Sequence, residues 1–237
     1  MATERWLTLP EREGIRTPEL MMLIQNVGND YARAWDGCEE PPFLVEMAAA
    51  AGLPVDVVLG AVAKCCADAW SHWSGGATDA RPMQIVNSVS QWVRGDAGFE
   101  EIWSTWELAE QVRREVRDWH QQQQGAVLAN AIVHAVESVH ALVTTARNLA
   151  QPEAGHDQYD EARYRAKNAA AENKGLLHDA AAPVRLATTA GSWFHSHSEP
   201  NASAEDHEAY AKQIMGFVIR QALDAEDVVQ GLRDRLR

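Results

Sequence analysis

Residues Gly125–Ala150 set the architecture, and they read GAVLANAIVHAVESVHALVTTARNLA. Small and medium apolar side chains recur on nearly every face of this run, which is typical of a helix buried on most sides in a helical protein. The run is long enough to cross a membrane. However, His134, Glu137, His140 and Arg147 interrupt it, and such groups are costly in lipid. We therefore expect a buried helix and no membrane contact.

Helical spacing of apolar residues continues on both sides of this run, and no stretch of strict alternation predicts a strand. The sequence therefore predicts an all-α protein, a bundle or orthogonal array of about 8–10 helices around the central helix 125–150. The other predicted helices cover residues 18–35, 41–52, 53–75, 79–95, 99–124, 157–178, 180–190, 205–223 and 225–237, whereas residues 191–204, GSWFHSHSEPNASA, predict a loop.

Composition breaks divide the chain into four parts that we expect to form one domain. Residues 1–17 predict an irregular lead-in, and residues 18–150 a helical core. Residues 151–204 predict a polar extension of helix and loop, and residues 205–237 predict C-terminal helices that pack on the core.

The charge of the chain bears on its partners. Lys plus Arg number 21 against 34 Asp plus Glu, which gives a formal net charge of −13. This balance disfavours nucleic-acid binding, which needs a cationic surface, and it suits a cationic protein partner.

The three cysteines, Cys38, Cys65 and Cys66, do not make a disulfide framework, and the first residues do not resemble a secretory signal. We therefore predict a cytoplasmic protein with reduced thiols.

Two histidine clusters are the candidate metal ligands. Glu137-Ser-Val-His140 has the Glu-x-x-His spacing of di-iron bundles, and His134 lies on the same face. His195-Ser-His197 places two imidazoles in the predicted loop. No second Glu-x-x-His occurs, and the alternative interpretation is a polar stripe on a buried helix together with an exposed loop.

No motif predicts a reaction. The chain lacks Gly-x-Ser-x-Gly, a Gly-rich phosphate loop and a dinucleotide fingerprint. We therefore predict no catalytic residue and no cofactor.

Nine tryptophans are many for this length, and most of them lie at helical spacing. That spacing predicts core positions for most of six indoles and leaves some of them exposed for a protein interface: Trp70, Trp73, Trp92, Trp103, Trp106 and Trp119. Indoles near predicted helix ends are the better candidates for a protein interface, because aromatic residues are enriched there; they are Trp35, Trp73 and Trp193. Exposed acids near helix ends are the other candidates, namely Glu39, Glu40, Glu100 and Glu101.

An ordered set of motifs resembles one bacterial family over about half of the chain. The set comprises Tyr31–Cys38 (YARAWDGC), Asp79–Pro82 (DARP), Trp92–Gly95 (WVRG) followed by Phe99–Glu101, and the Ala-rich helix Gly125–Ala150. In order and spacing it is similar to the Imm-5-like immunity proteins, which are associated with polymorphic toxins. The polar region 151–204 departs from the family pattern. The resemblance implies a protein that masks a cognate bacterial toxin and implies no functional residue.

Three functions therefore stand as predictions. The preferred one is an immunity-type binding protein for a cationic toxin, which needs only shape and charge complementarity. The alternatives are a metal-binding helical-bundle enzyme that uses the histidine clusters, and a helical scaffold or regulatory protein.

Overall fold

The structure, a computed structural model, describes residues 18–73, 78–123, 126–149 and 180–235. Every regular element in these ranges is an α-helix, so the all-α prediction is confirmed. The predicted lead-in 1–17 and the predicted helix 157–178 lie outside the described residues. The helices are α1 (Pro18–Asn26), α2 (Tyr31–Asp36), α3 (Pro41–Ala50), α4 (Val55–Trp73), α5 (Arg81–Val93), α6 (Phe99–Gln122), α7 (Val127–Leu149), α8 (180–198), α9 (Ala204–Ala222) and α10 (Ala225–Arg235).

Two helices share the centre of the bundle. Helix α7, the predicted central helix, packs against α4, α5 and α6, and α4 packs against α3, α5, α7 and α9. The side chains of α4 that allow this are small and fully buried, among them Ala61, Cys65 and Ala69. Small side chains let neighbouring helices approach closely on several sides. The core therefore extends over both helices.

Helix α7 is the described helix whose length and composition would allow it to cross a membrane. Of its most apolar 18-residue window, 44% is buried inside the protein. Length and composition alone are a weak indication, since the core helix of a bundle meets the same criteria. The contacts of α7 with three neighbouring helices are those of a bundle helix.

The single helix predicted over residues 18–35 is wrong, because the chain forms α1 and α2 with a break between them. Gly28 and Asn29 both adopt positive φ, 71° and 61°, which a helix cannot continue through. Asp30 then begins α2, and its carboxylate accepts the backbone N–H of Arg33 at 3.1 Å. Apolar residues continue at helical spacing across this break, so the periodic pattern predicted one continuous helix and missed the turn.

The loop predicted over residues 191–204 is also wrong for its first part, because α8 continues to residue 198. Pro200 explains the end of α8, since the residue before a proline disfavours helical backbone. Ser203 then begins α9, and its hydroxyl oxygen accepts the backbone N–H of Asp206 at 3.1 Å. Trp193, His195 and His197 are therefore helical residues.

The last two helices lie on the N-terminal half of the bundle. Helix α9 packs against α3 and α4, and α10 packs against α2 and α3. On α9, the Arg220 guanidinium donates to the carbonyl oxygens of Trp35 and Cys38 at 3.1 and 2.6 Å, so that it covers the end of α2. On α10, Gly231 lies so close to Ala51 that a Cβ atom would approach its carbonyl oxygen to 2.3 Å.

Candidate functional site

Polar side chains form a line between α6 and α7. On α6, residues 106, 110, 113, 117 and 120 recur every three or four positions and therefore share one face. The pairs that bridge the two helices run in opposite chain directions, with His120 beside Asn130 and Glu110 beside His140. We call the group Glu110, Arg113, Arg117, Glu137 and His140 the polar seam.

Glu137 is the centre of the polar seam. Its side chain is only 13% exposed, and its carboxylate accepts hydrogen bonds from Arg113 Nε at 2.9 Å and Arg117 Nε at 2.5 Å. Two cations therefore stabilise a carboxylate that would be costly to bury alone. The Glu-x-x-His spacing that suggested a metal ligand thus brings Glu137 to two arginines.

His140 contacts the other carboxylate of the polar seam. Its Nε2 lies 2.7 Å from Glu110 Oε1. Burial lowers the pKa of His140, although its hydrogen bond with Glu110 works against this effect. Burial alone would raise the pKa of Glu110, but the contact with His140 and the nearby arginines lower it overall. At neutral pH a neutral imidazole therefore donates to a carboxylate.

His134 lies on α7 between these contacts and the pair of His120 and Asn130, which are 2.7 Å apart. Its Nδ1 atom is buried and has no hydrogen-bond partner among the described residues. Burial lowers the pKa of His134, so its imidazole is neutral at pH 7. The buried His134 Nδ1 therefore lowers the free energy of unfolding, because no hydrogen bond within the described residues compensates for its loss of contact with water.

The second predicted cluster is arranged differently from its sequence pattern. His195 Nδ1 lies 2.9 Å from Nδ1 of His207 on α9, and the His195 ring stacks on Tyr210 with centroids 4.2 Å apart. His197, the expected partner of His195, is exposed. No group of three or more His, Cys, Asp or Glu in the described ranges is arranged to hold a metal ion. His207 was not singled out from sequence, since only the packing of α8 on α9 brings it to His195.

At the far end of α7, a cation and two indoles form a second feature. The Arg147 guanidinium lies 4.0 Å from the ring centroid of Trp106 and 5.4 Å from that of Trp103. The two indole centroids are 5.8 Å apart at an angle of 45°. We call these three side chains the indole platform. Trp103 is 42% exposed, so it is not one of the core indoles that helical spacing predicted for most of the six.

Trp119 is also outside the core. Its side chain is 39% exposed on the C-terminal half of α6. Trp70 and Trp92 are buried, as predicted, and Trp106 is partly buried. Helical spacing identified the helix, but α6 covers only one side of the bundle, so two of its three indoles face water.

The candidates for partner binding are scattered over the surface. Glu39 is exposed, and Glu40 precedes α3 and pairs with Lys212 of α9. On α6, Glu100 is exposed and Glu101 accepts the backbone N–H of Gly98 at 2.9 Å.

The indole candidates differ in exposure. Trp193 on α8 is 36% exposed, whereas Trp35 is 2% exposed and is a core residue, which corrects its assignment to an interface. The side chain of Trp73 lies outside the described part of the structure. Trp193 thus stays available to a partner.

The cysteine thiols are buried and free. Burial raises the pKa of Cys38 to about 11 and that of Cys66 to about 12, and it raises the pKa of Cys65 in the same direction. A protonated thiol is a poor nucleophile and a poor metal ligand. These side chains therefore contribute packing.

Comparison of the chain with protein-family models, with curated proteins and with solved structures gives no match. The resemblance to Imm-5-like immunity proteins therefore stays a prediction.

Proposed function

We propose that the protein is a cytoplasmic binding protein that masks a cationic protein partner, as an immunity protein masks its cognate toxin. Two properties support this proposal. The formal net charge of −13 creates a field that accelerates encounter with a basic protein. The family resemblance of the motifs between Tyr31 and Ala150 suggests the same kind of partner.

The exposure of large indoles carries the proposal. Trp103, Trp119 and Trp193 are each at least one third exposed to water. Burying the exposed part of Trp103 removes roughly 100 Å² of mostly apolar surface from water, which contributes about 2–3 kcal/mol. Exposed aromatic side chains of this size are typical of the central residues of protein interfaces.

The direct test is co-expression of the protein with each product of its neighbouring genes, followed by purification. We expect one basic neighbour to co-purify at a fixed ratio, and we expect its toxicity to host cells to fall when this protein is present. An unrelated basic protein of similar charge serves as the control, because charge alone would retain both.

The salt dependence of the association rate tests the role of charge. Opposite fields are screened over about 8 Å at physiological ionic strength. We therefore expect the association rate constant to fall by at least about tenfold between low salt and 0.5 M salt, with a smaller change in the dissociation rate constant. If no neighbour binds and no neighbour's toxicity is relieved, the proposal is wrong.

A further inference from the structure

We propose that an arginine-rich segment of the cationic partner binds on the N-terminal half of α6, at the indole platform of Trp103, Trp106 and Arg147. This inference rests on the proposed function and adds the surface and the chemical group that it recognises. The rigidity of the platform, the acidic residues beside it and the contrast with the other half of the same helix support it.

The indole platform is held in place before any partner arrives. Arg147 lies against both indole rings, and the indoles lie against each other on successive turns of α6. Because these contacts restrict the Trp103 ring, little conformational entropy remains to be lost on binding. A rigid aromatic side chain is the kind of residue that contributes most to an interface.

The N-terminal half of α6 is acidic. Residues 99–112 of α6 contain four glutamates, Glu100, Glu101, Glu107 and Glu110, and no Lys, Arg or His. Glu100 and Glu107 lie three residues before and four residues after Trp103, so they share its side of the helix, and both are exposed. Glu110 instead contacts His140 within the polar seam. Glu100 and Glu107 together outweigh the single positive charge of Arg147 beside the indole.

The C-terminal half of the same helix provides an internal comparison. Residues 113–122 contain three arginines and two acidic residues, but two of the arginines pair with Glu137 within the polar seam. Trp119 is exposed there to nearly the same degree as Trp103, 39% against 42%. On its own side of α6, Trp119 has one carboxylate beside it, that of Glu115, which already pairs with Arg81. Exposure alone therefore does not distinguish the two indoles, whereas the carboxylates beside them do.

Arginine is the group that fits an indole flanked by carboxylates. A guanidinium stacks on an aromatic face and at the same time donates hydrogen bonds in its plane to a carboxylate. Glu100 and Glu107 bracket Trp103 along the helix and can each accept such bonds. A lysine ammonium makes the cation–π contact but lacks the planar set of donors.

The first experiment needs no natural partner. A nona-arginine peptide is titrated into protein labelled with ¹⁵N at its tryptophan indoles, at low salt, with a nona-lysine peptide as comparison. We expect the Trp103 indole resonance to shift first and at least about threefold more than that of Trp119, with a smaller effect from the lysine peptide. Equal shifts at Trp103 and Trp119, or a larger shift at Trp119, would overturn the inference.

The second experiment uses variants and the neighbouring protein that binds. Trp103→Ala is expected to weaken binding by at least about thirtyfold, against less than about threefold for Trp119→Ala. Glu107→Gln is expected to slow association more than Asp118→Asn does, although both remove one negative charge from α6.

Arg147→Gln gives the sharpest result, because two explanations predict opposite signs. If net charge alone governs binding, loss of this cation strengthens the attraction for a basic partner. If Arg147 positions the indoles, its loss weakens binding, and we expect about a fivefold rise in Kd. Tighter binding of Arg147→Gln would overturn the inference.

The two proposals fail in distinguishable ways. If a basic neighbour binds but Trp103→Ala and Trp119→Ala have the same affinity, the protein is a binding protein and the assigned surface is wrong. If the arginine peptide selects Trp103 but no neighbour binds, the surface chemistry is right and the masking function is wrong. Circular dichroism of each variant checks that the helices are intact.

Discussion

Helix α7 meets its two main neighbours, α4 and α6, through different kinds of surface. Towards α4 it presents small and apolar side chains, where the Cys66 thiol donates to the carbonyl oxygen of Ser138 at 3.5 Å. Towards α6 it presents the polar seam, in which Glu137 accepts from two arginines. The two surfaces belong to one helix of 23 residues.

The difference indicates a division of labour between the two sides. Apolar burial supplies most of the free energy of folding, because removal of apolar surface from water is its dominant favourable contribution. Ion pairs between partly buried groups add less, since desolvation offsets much of the attraction. We infer that the polar seam mainly fixes how α6 aligns with α7, while the apolar side mainly stabilises the bundle.

The largest expected effect is on the apolar side. Leu142 lies four residues after Ser138 on α7 and is fully buried. Leu142→Ala removes buried methylene and methyl groups and leaves a cavity, so we expect a loss of about 3 kcal/mol in the free energy of unfolding. Urea unfolding followed by circular dichroism measures it. A loss below about 1 kcal/mol would contradict the proposed division of labour.

The next effect tests the polar seam. Glu137→Gln keeps the shape of the side chain but leaves Arg113 and Arg117 without their shared carboxylate. We expect a loss of about 2 kcal/mol, less than for a fully buried pair because Arg117 is half exposed. Glu107→Gln, on the exposed side of α6, is the matched control and should leave the unfolding midpoint in place. Equal midpoints for the two variants would show that the polar seam contributes nothing.

A stabilising change is expected at His134. His134→Leu removes a buried nitrogen that lacks a hydrogen-bond partner within the described chain, so we expect a gain of about 1 kcal/mol at pH 7. Burial lowers the pKa of His134 in the folded protein. The unfolded chain therefore takes up a proton first, and the wild type loses stability as the pH falls below about 6.5 and towards the folded pKa.

The advantage of His134→Leu should accordingly increase from pH 7 to pH 5. Unfolding free energies measured at several pH values check this trend. His197→Gln, which changes an exposed histidine of α8, is the control and should follow the wild type. A variant less stable than the wild type at pH 5 would mean that His134 contributes a contact of its own.

The smallest effect is expected at the surface between α5 and α6. Arg81 Nη2 lies 2.7 Å from Glu115 and also 2.7 Å from Asp79, so that two carboxylates share one guanidinium. The hydrogen bond from Arg81 lowers the pKa of Glu115. Because the Glu115 side chain is about half exposed and Arg81 retains Asp79, we expect Glu115→Gln to leave the unfolding midpoint unchanged within error. A clearly lower unfolding midpoint would mean that this ion pair stabilises the protein as the polar seam does, unlike an ordinary surface ion pair.

The helices were predictable from the sequence to within a few residues where local signals agreed. The acidic residues of the first turn of α6 and the proline pair that begins α3 both mark helix starts. The prediction was wrong where two local signals competed, as at Gly28 and Asn29, whose turn lies inside a continuous apolar pattern. It was also wrong for the last part of α8, residues 191–198, where a polar composition predicted a loop and the chain forms a helix.

The candidate site was less predictable than the fold. The positions of Glu137 and His140 on one face of α7 followed from their spacing, but their partners did not. Spacing gives the direction of a side chain and leaves open whether a metal ion, an arginine or water will meet it. The exposure of Trp103 could not be predicted, because a periodic pattern shows which residues share a face of a helix but does not show how much of that face the neighbouring helices cover.

The all-α fold class could be predicted from the amino-acid sequence alone. The hydrogen bonds of an α-helix join residues only four positions apart, and helix propensity is a property of each residue. Which charges meet was settled by packing. Arg113 reaches Glu137 across 24 residues and Arg185 reaches Glu46 across 139. Contacts between residues so far apart in the sequence form only after the helices have docked, because a long intervening segment does not determine the distance between its two ends. The same docking leaves Trp103 exposed and places Arg147 against it.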